Sequence, residues 1–261
     1  LSGTRSTFRG GIMAAIGAFG VLSFGAWAAP VINPDVTTEA AFLIVSVLIV
    51  LPVLALLGGW AAVMRKGSPS LGSPALLGLV SVLLLLLAAI AGAAYAIEPL
   101  EVQGVAGGAW ELGQMLLVVA AAAAGLSAGV FYWAPKMWGH TASDSLGKLA
   151  APVFLLAGLA AGLPQLLLGL SERFDQLVDA ADALNGITAL GSALGALAVV
   201  LVALGAISSA RGAAAGADPW GSGQTLEWAT TSPPPRGNFA ELAPVLSAEP
   251  VLDAADGKEA S

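Results

Sequence analysis

The chain has 261 residues, of which 57% are hydrophobic and only 10% charged, with a mean hydropathy of +0.85. Water-soluble domains carry about a quarter charged residues, so this composition excludes an ordinary soluble domain and points to a membrane-embedded one. Ten Lys and Arg against 17 Asp and Glu leave no basic patch for nucleic acid, and the absence of cysteine excludes disulfides, thiolate metal sites and Cys nucleophiles.

A hydrocarbon core about 30 Å thick takes roughly 20 apolar residues of helix. In chain order the predicted spans are residues 12–29, 40–64, 71–97, 112–133, 149–170 and 187–207. Only helix satisfies the backbone polar groups of such runs within one segment, so the expected fold class is all-α, a polytopic transmembrane bundle of six spans. Pro52 and Pro164 interrupt these spans. Gly, Ala and Ser are dense, as in "AAAAGLSAG" and "GITALGSALGALA". That density reads either as tight helix packing or as the imprint of an alanine-rich base composition.

Basic residues alternate with acidic ones from connection to connection. Arg5 and Arg9, Arg65 and Lys66, Lys136 and Lys148, and Arg211 and Arg236 mark one side; Asp35 and Glu39, Glu98 and Glu101, and Glu172, Arg173 and Asp175 mark the other. The Lys/Arg excess places both termini on the cytoplasmic side. Residues 1–210 are thus expected to form the membrane domain and residues 211–261 a cytoplasmic tail. Its "SPPPRGNF" cannot continue a helix and favours an extended segment across the cytoplasmic ends of the bundle. The final "SAEPVLDAADGKEAS" reads as a mobile terminus.

Ionisable or metal-binding side chains inside a span are costly enough to be functional by default, and these spans hold almost none. Glu111 opens the fourth span with Gln114 and Met115 one turn further in, Gln165 lies near the end of the fifth, and Asn185 leads into the sixth. Glu111 and Gln114, on one helix face, suit a proton, a lipid head group or a partner side chain; alternatively, Glu111 is an acid at the positive end of its helix. Met115 offers a thioether, but no histidine inside the spans can complete an axial pair, which favours packing. His140, the only histidine, follows Pro135, Lys136 and Met137 in a connection. One imidazole there cannot supply the facing ligands of a haem iron or copper. Around it Phe131, Tyr132, Trp133 and Trp138 read as an interfacial aromatic belt. Arg173, beside Glu172 and Asp175, reads as an exposed ion pair or as a contact for an acidic group of a cofactor.

The stretches "RGGIMAAIGAFGVLSFGAWAAP", "FYWAPKMWGH", "DSLGKL", "LPQLLLGLSERF" and, most specifically, "ADPWGSGQTLEWATTSPPPRGNF" resemble the C-terminal half of subunit I of the haem-copper oxidases of the cytochrome c oxidase type. The resemblance covers about residues 7–239 and implies the family's last six of twelve spans. It also implies where the family's ligands would fall. Adjacent copper-binding histidines follow the tryptophan matched by Trp27, where this chain has Ala29 and Pro30. The two haem-ligating histidines fall on Gly113 and Met115, and a proton-path lysine four residues after Pro52 falls on Leu56. The tandem arginines that hold haem propionates fall on Glu172 and Arg173, which leaves Arg173 as the candidate propionate contact. The family's other ligands belong to its other half.

The expected function is therefore a non-catalytic integral membrane subunit of a respiratory chain or terminal oxidase complex, acting in packing and assembly. Catalytic and metal-ligating residues are expected to be absent, and haem and copper to reside in partner subunits. The expected partners are other transmembrane subunits and lipid, in a prokaryotic inner or plasma membrane. An alternative is half of a split subunit I, with a separate chain supplying six further helices and the haem and copper ligands for electron transfer to oxygen and proton translocation. A membrane transporter or channel is the third class, without an obvious ion site.

Overall fold

Backbone polar groups that meet no water must bond within their own segment, and the apolar runs do so as helices. The computed structural model describes residues 8–28, 43–95, 108–170, 176–212, 214–221, 223–239 and 245–255. The helices are α1 (Arg9–Ala28), α2 (Val50–Lys66), α3 (Ser73–Tyr95), α4 (Ala109–Trp138), α5 (Asp144–Leu168), the single turn α6 (Gln176–Asp179), α7 (Ala181–Ser208) and the short α8 (Pro250–Ala255). Among the described residues, five helical segments are long and apolar enough to cross a bilayer: Leu43–Lys66, which includes α2, then α3, α4, α5 and α7. The described apolar stretch of α1, Arg9–Phe24, is shorter. The protein is an all-α, multi-pass integral membrane bundle.

Where boundaries differ from expectation, the cause is local. The fourth span was expected to stop at Trp133, yet α4 runs on to Trp138 with Pro135 inside its last turn. Thirty residues at 1.5 Å each make a rod of about 45 Å, longer than the hydrocarbon core, so the aromatic and basic end stays helical beyond the apolar slab. Gly139 closes it in the left-handed region (φ 76°) and donates its N–H to the Pro135 carbonyl at 2.8 Å. Pro152, as well as Pro164, lies within α5.

α3, α4, α5 and α7 form the tight part of the bundle. Leu77 and Leu84 from α3, Leu117 and Phe131 from α4, and Phe154 from α5 are essentially inaccessible and make one core. Helix α7 lies on α5 at close range. A Cβ added at Gly191 would strike the Ala161 backbone nitrogen and come within 2.6 Å of the Ala160 carbonyl carbon. The small residues therefore do mediate packing here: the absence of a side chain at 191 lets the α7 backbone rest on the α5 backbone. By contrast, α1 packs on α2, and α2 on α3, with far less contact than the central helices share.

The tail is folded against one end of the bundle. His140 and Ala214 form an antiparallel bridge, with the Ala215 N–H donating to the Gly139 carbonyl at 2.8 Å. Trp220 stacks on Tyr132 with ring centroids 5.8 Å apart, and its indole N–H donates to the Tyr132 carbonyl at 3.2 Å. Asp218 accepts N–H bonds from Trp220, Gly221 and Gly223 and thereby shapes that turn. Lys136 donates to the Thr230 carbonyl at 2.6 Å, with its ammonium 5.3 Å from the ring centre of the buried Trp228. Thus the segment around "SPPPRGNF" does lie across the bundle end. The expectation of a mobile terminus needs correction over 247–255, the described part of that stretch. Arg9 donates to the Ala248 carbonyl at 3.0 Å and lies 3.8 Å from the Glu249 carboxylate, while Glu249 and Asp253 are buried.

Candidate functional site

Of the residues singled out in the sequence, Glu111, Gln114 and Met115 gather at one place and Gln165 and Asn185 at another, both in the half of the bundle opposite the tail. One is a cavity of about 430 Å³ between α1, Leu43–Lys66, α3 and α4. Ser23, Ser46, Tyr95, Glu111, Gln114 and Met115 all line it. The up-and-down course of the chain explains the grouping. Helix α1 begins against the tail, so Ser23 near its other end, Ser46 near the start of the next segment, Tyr95 at the end of α3 and Glu111 at the start of α4 share one level.

Several contacts hold this wall in place. The Trp110 indole N–H donates to the Ala91 carbonyl at 3.0 Å and ties the first turn of α4 to the last turns of α3. Gly92 leaves room for the Gln114 amide, since a Cβ at 92 would lie 2.5 Å from its Nε2. The Ser23 hydroxyl is buried, with no hydrogen-bond partner among the described residues. Sequence reading found Glu111, Gln114 and Met115 but missed Ser23, Ser46 and Tyr95. Those three come from other segments, and no periodicity within one helix could have grouped them.

The second place is a polar seam between α5 and α7. Buried Gln165 donates from Nε2 to Asn185 Oδ1 at 2.8 Å and to Thr188 Oγ1 at 3.0 Å, and the Thr188 hydroxyl donates to the Ala161 carbonyl at 3.3 Å. Gln165 and Asn185, flagged separately in the sequence, are partners. Each would be costly in hydrocarbon by itself, and together they tie the two helices.

Neither place fits a haem iron or a copper ion. Among the described residues no three His, Cys, Asp or Glu stand close enough together to hold a metal. The single histidine sits at the far end of α4, half-buried against the tail, with its Nδ1 unpartnered. Position 113, where the resemblance puts a haem ligand, is filled by neighbouring backbone: a Cβ there would lie 2.8 Å from both the Gly162 oxygen and the Leu166 nitrogen. Met115 is 56% exposed and faces the cavity, with no imidazole across from it among the described residues. The Trp27 backbone belongs to α1, whereas Ala29, Pro30 and the candidate propionate contact Arg173, with Glu172 and Asp175, lie outside the described residues.

Comparison with known proteins accounts for this scaffold. The family described as Cytochrome C and Quinol oxidase polypeptide I matches residues 2–213. The "Probable cytochrome c oxidase subunit 1-beta" of Nocardia farcinica is 28% identical over 251 residues, covering 90% of this chain and 41% of that protein. Cytochrome c oxidase subunit 1 of Alkalihalophilus pseudofirmus is 38% identical over 143 residues, 52% of this chain and 23% of its own length. Bacillus subtilis cytochrome c oxidase subunit 1 is 35% identical over 133 residues, 49% and 21% of the two chains. The chain spans at most about two fifths of the length of these relatives. With the family matched across most of the sequence, the chain belongs to the Cytochrome C and Quinol oxidase polypeptide I family.

Proposed function

We propose that this chain is a non-catalytic membrane subunit of a respiratory or terminal oxidase complex, using the subunit I scaffold for packing and assembly rather than for oxygen chemistry. The observation that carries the reading is the filled position 113: the site of an expected haem ligand is occupied by the backbone of α5, and the one imidazole of the chain is spent at the tail. Iron and copper of this type need several imidazoles on facing helices. What remains is a set of close helix contacts and lipid-facing apolar surfaces, which suit the holding of other transmembrane subunits.

Six spans with both ends cytoplasmic complete the proposal. Arg9, Arg65, Lys66, Lys136 and Lys148 stand at helix ends on the tail side, in keeping with the positive-inside rule. A second reading is half of a split subunit I, with Arg173 touching a haem propionate of a partner chain that supplies the remaining spans and ligands.

Purification in mild detergent from native membranes, followed by pyridine-haemochrome spectra and metal analysis, tests both. The leading reading expects copurifying membrane subunits and, once the chain is separated from them, neither haem nor copper in stoichiometric amount. Stoichiometric haem on the separated chain overturns it. Oxygen reduction that requires this chain together with one haem-bearing partner supports the split-subunit reading instead.

A further inference from the structure

Helix α2 presents an exposed face that ends in unpaired positive charge. Leu51, Leu54, Gly58 and Arg65 are spaced by three, four and seven residues, which sets them along one side of the helix, and all four are exposed. A Cβ added at Gly58 would meet nothing within 4 Å, so this side carries a shallow dip between Leu54 and Arg65 that no described neighbour fills. Gly59 faces α1 instead, since a Cβ there would lie 2.9 Å from the Ile12 side chain. Lys66, two turns beyond Gly59 on that same side, therefore stands beside Arg65 at the end of α2 where α1 begins. Both cations are exposed, and among the described residues neither has an ion-pair partner, whereas Arg9 has Glu249 and Lys148 has Asp144. The neighbouring sequence does not offset them. The connection 67–72 is described throughout and adds exposed Ser68 and Ser70 but no acid, and residues 1–7 hold Arg5 and no Asp or Glu.

We infer that this face binds an anionic phospholipid, its phosphate held by Arg65 and Lys66 and one acyl chain lying over Gly58 along Leu54 and Leu51. The segment Leu43–Lys66 is long enough to cross the hydrocarbon core, so its last two residues reach the level of the head groups. Two cations there favour a lipid of net negative charge, because the quaternary ammonium of a zwitterionic lipid returns positive charge to the site. The apolar run beneath them separates a lipid from free phosphate, which would use only the head of the site. Leu56, to which the family resemblance assigns a proton path, is two residues from Gly58 and so on nearly the opposite side of α2. Positions 29, 30, 113 and 115 belong to other segments. The inference is independent of the packing role proposed above and of any redox partner.

Native mass spectrometry of the full-length protein, released from a neutral detergent containing equal amounts of phosphatidylglycerol and phosphatidylcholine, tests this. One phosphatidylglycerol is expected to be retained in preference to phosphatidylcholine. Arg65→Gln and Lys66→Gln are each expected to lower that retention about fivefold, the worth of one cation beside an anionic lipid, and Gly58→Phe to lower it by obstructing the acyl chain. Arg236→Gln, which removes an exposed cation of the tail, is expected to leave it unchanged; circular dichroism checks that all four variants keep their helices. Glycerophosphoglycerol and inorganic phosphate, which lack the chains, are expected not to displace the lipid. Equal retention of the two phospholipids, displacement by inorganic phosphate, a loss in Arg236→Gln as large as in Arg65→Gln, or indifference to the folded Arg65, Lys66 and Gly58 variants would each overturn the inference.

Discussion

Two glycines on α7 give a comparison in which chemistry and helix are held constant and only the neighbourhood differs. A methyl at Gly186 meets nothing within 4 Å, whereas at Gly191 it meets the Ala160–Ala161 backbone of α5, with the Ala161 Cα 2.9 Å away. Carbon atoms are comfortable at about 3.5–4.0 Å, so α7 must move outward by about 1 Å, and a gap of that size forfeits a quarter to a half of each dispersion contact along the seam. Overpacking of this kind costs about 1–3 kcal/mol. The helix-propensity gain of Gly→Ala is nearly cancelled in SDS, because denatured membrane segments keep their helices. Gly186→Ala is therefore expected to leave the midpoint of an SDS titration almost unchanged, and Gly191→Ala to lower it by the equivalent of about 1–3 kcal/mol. Tryptophan fluorescence of the chain's seven indoles reads the transition. Gln165→Leu, which removes both seam bonds, costs about 1 kcal/mol by the usual size of interhelical hydrogen bonds in membranes. Combined with Gly191→Ala its cost should be less than additive, since the displaced helix has already stretched those bonds. Equal midpoints for the two alanine variants would refute the claim that α5 and α7 meet backbone to backbone.

Three other outcomes follow from the same geometry. Installing an imidazole by Gly113→His should not recover haem binding, because the added side chain meets Gly162 and Leu166 backbone; pyridine-haemochrome spectra check for haem, and a marked loss of folded protein is expected in detergent gel filtration. Lys136→Met removes a charged bond to the Thr230 carbonyl, worth about 1.5–3 kcal/mol, and should speed limited proteolysis within residues 214–239 by about tenfold or more. At Gly139, Ala would sit at φ 76° with its Cβ 2.9 Å from Pro233, so Gly139→Ala should loosen the tail with a cost of about 1–2 kcal/mol, read by the same proteolysis assay.

Much of the bundle could be read from sequence because burial in lipid demands nearly unbroken apolar runs, and such runs are visible residue by residue. The end of α4 was misplaced because Pro135 and Lys136 lower hydropathy without breaking a helix whose last turn no longer needs to be apolar. Residues 247–255 were misread for a related reason: Glu249 and Asp253 look like solvated acids, and nothing local says that they are buried. Gln165 and Asn185 stood out individually, but their union spans a connection and depends on how closely α7 approaches α5, which Gly191 decides. The cavity was half visible. Glu111 and Gln114 share one helix face, whereas Ser23, Ser46 and Tyr95 join them only through the alternating direction of successive helices. The single histidine, by comparison, is visible in the sequence itself, since the count of a residue type does not depend on folding.

The grip of Arg9 on Ala248 and Glu249 joins residues 239 positions apart. Helix α1 is the earliest of the described helices to leave the ribosome, yet the anchor for its tail-side end is made only after the whole central bundle has been synthesised. Throughout translation of the intervening chain, α1 leans on α2 without that anchor. A nascent chain stalled before residue 248 should therefore carry a complete central bundle with α1 unfastened, and synthesis through residues 248 and 249 would supply its latch.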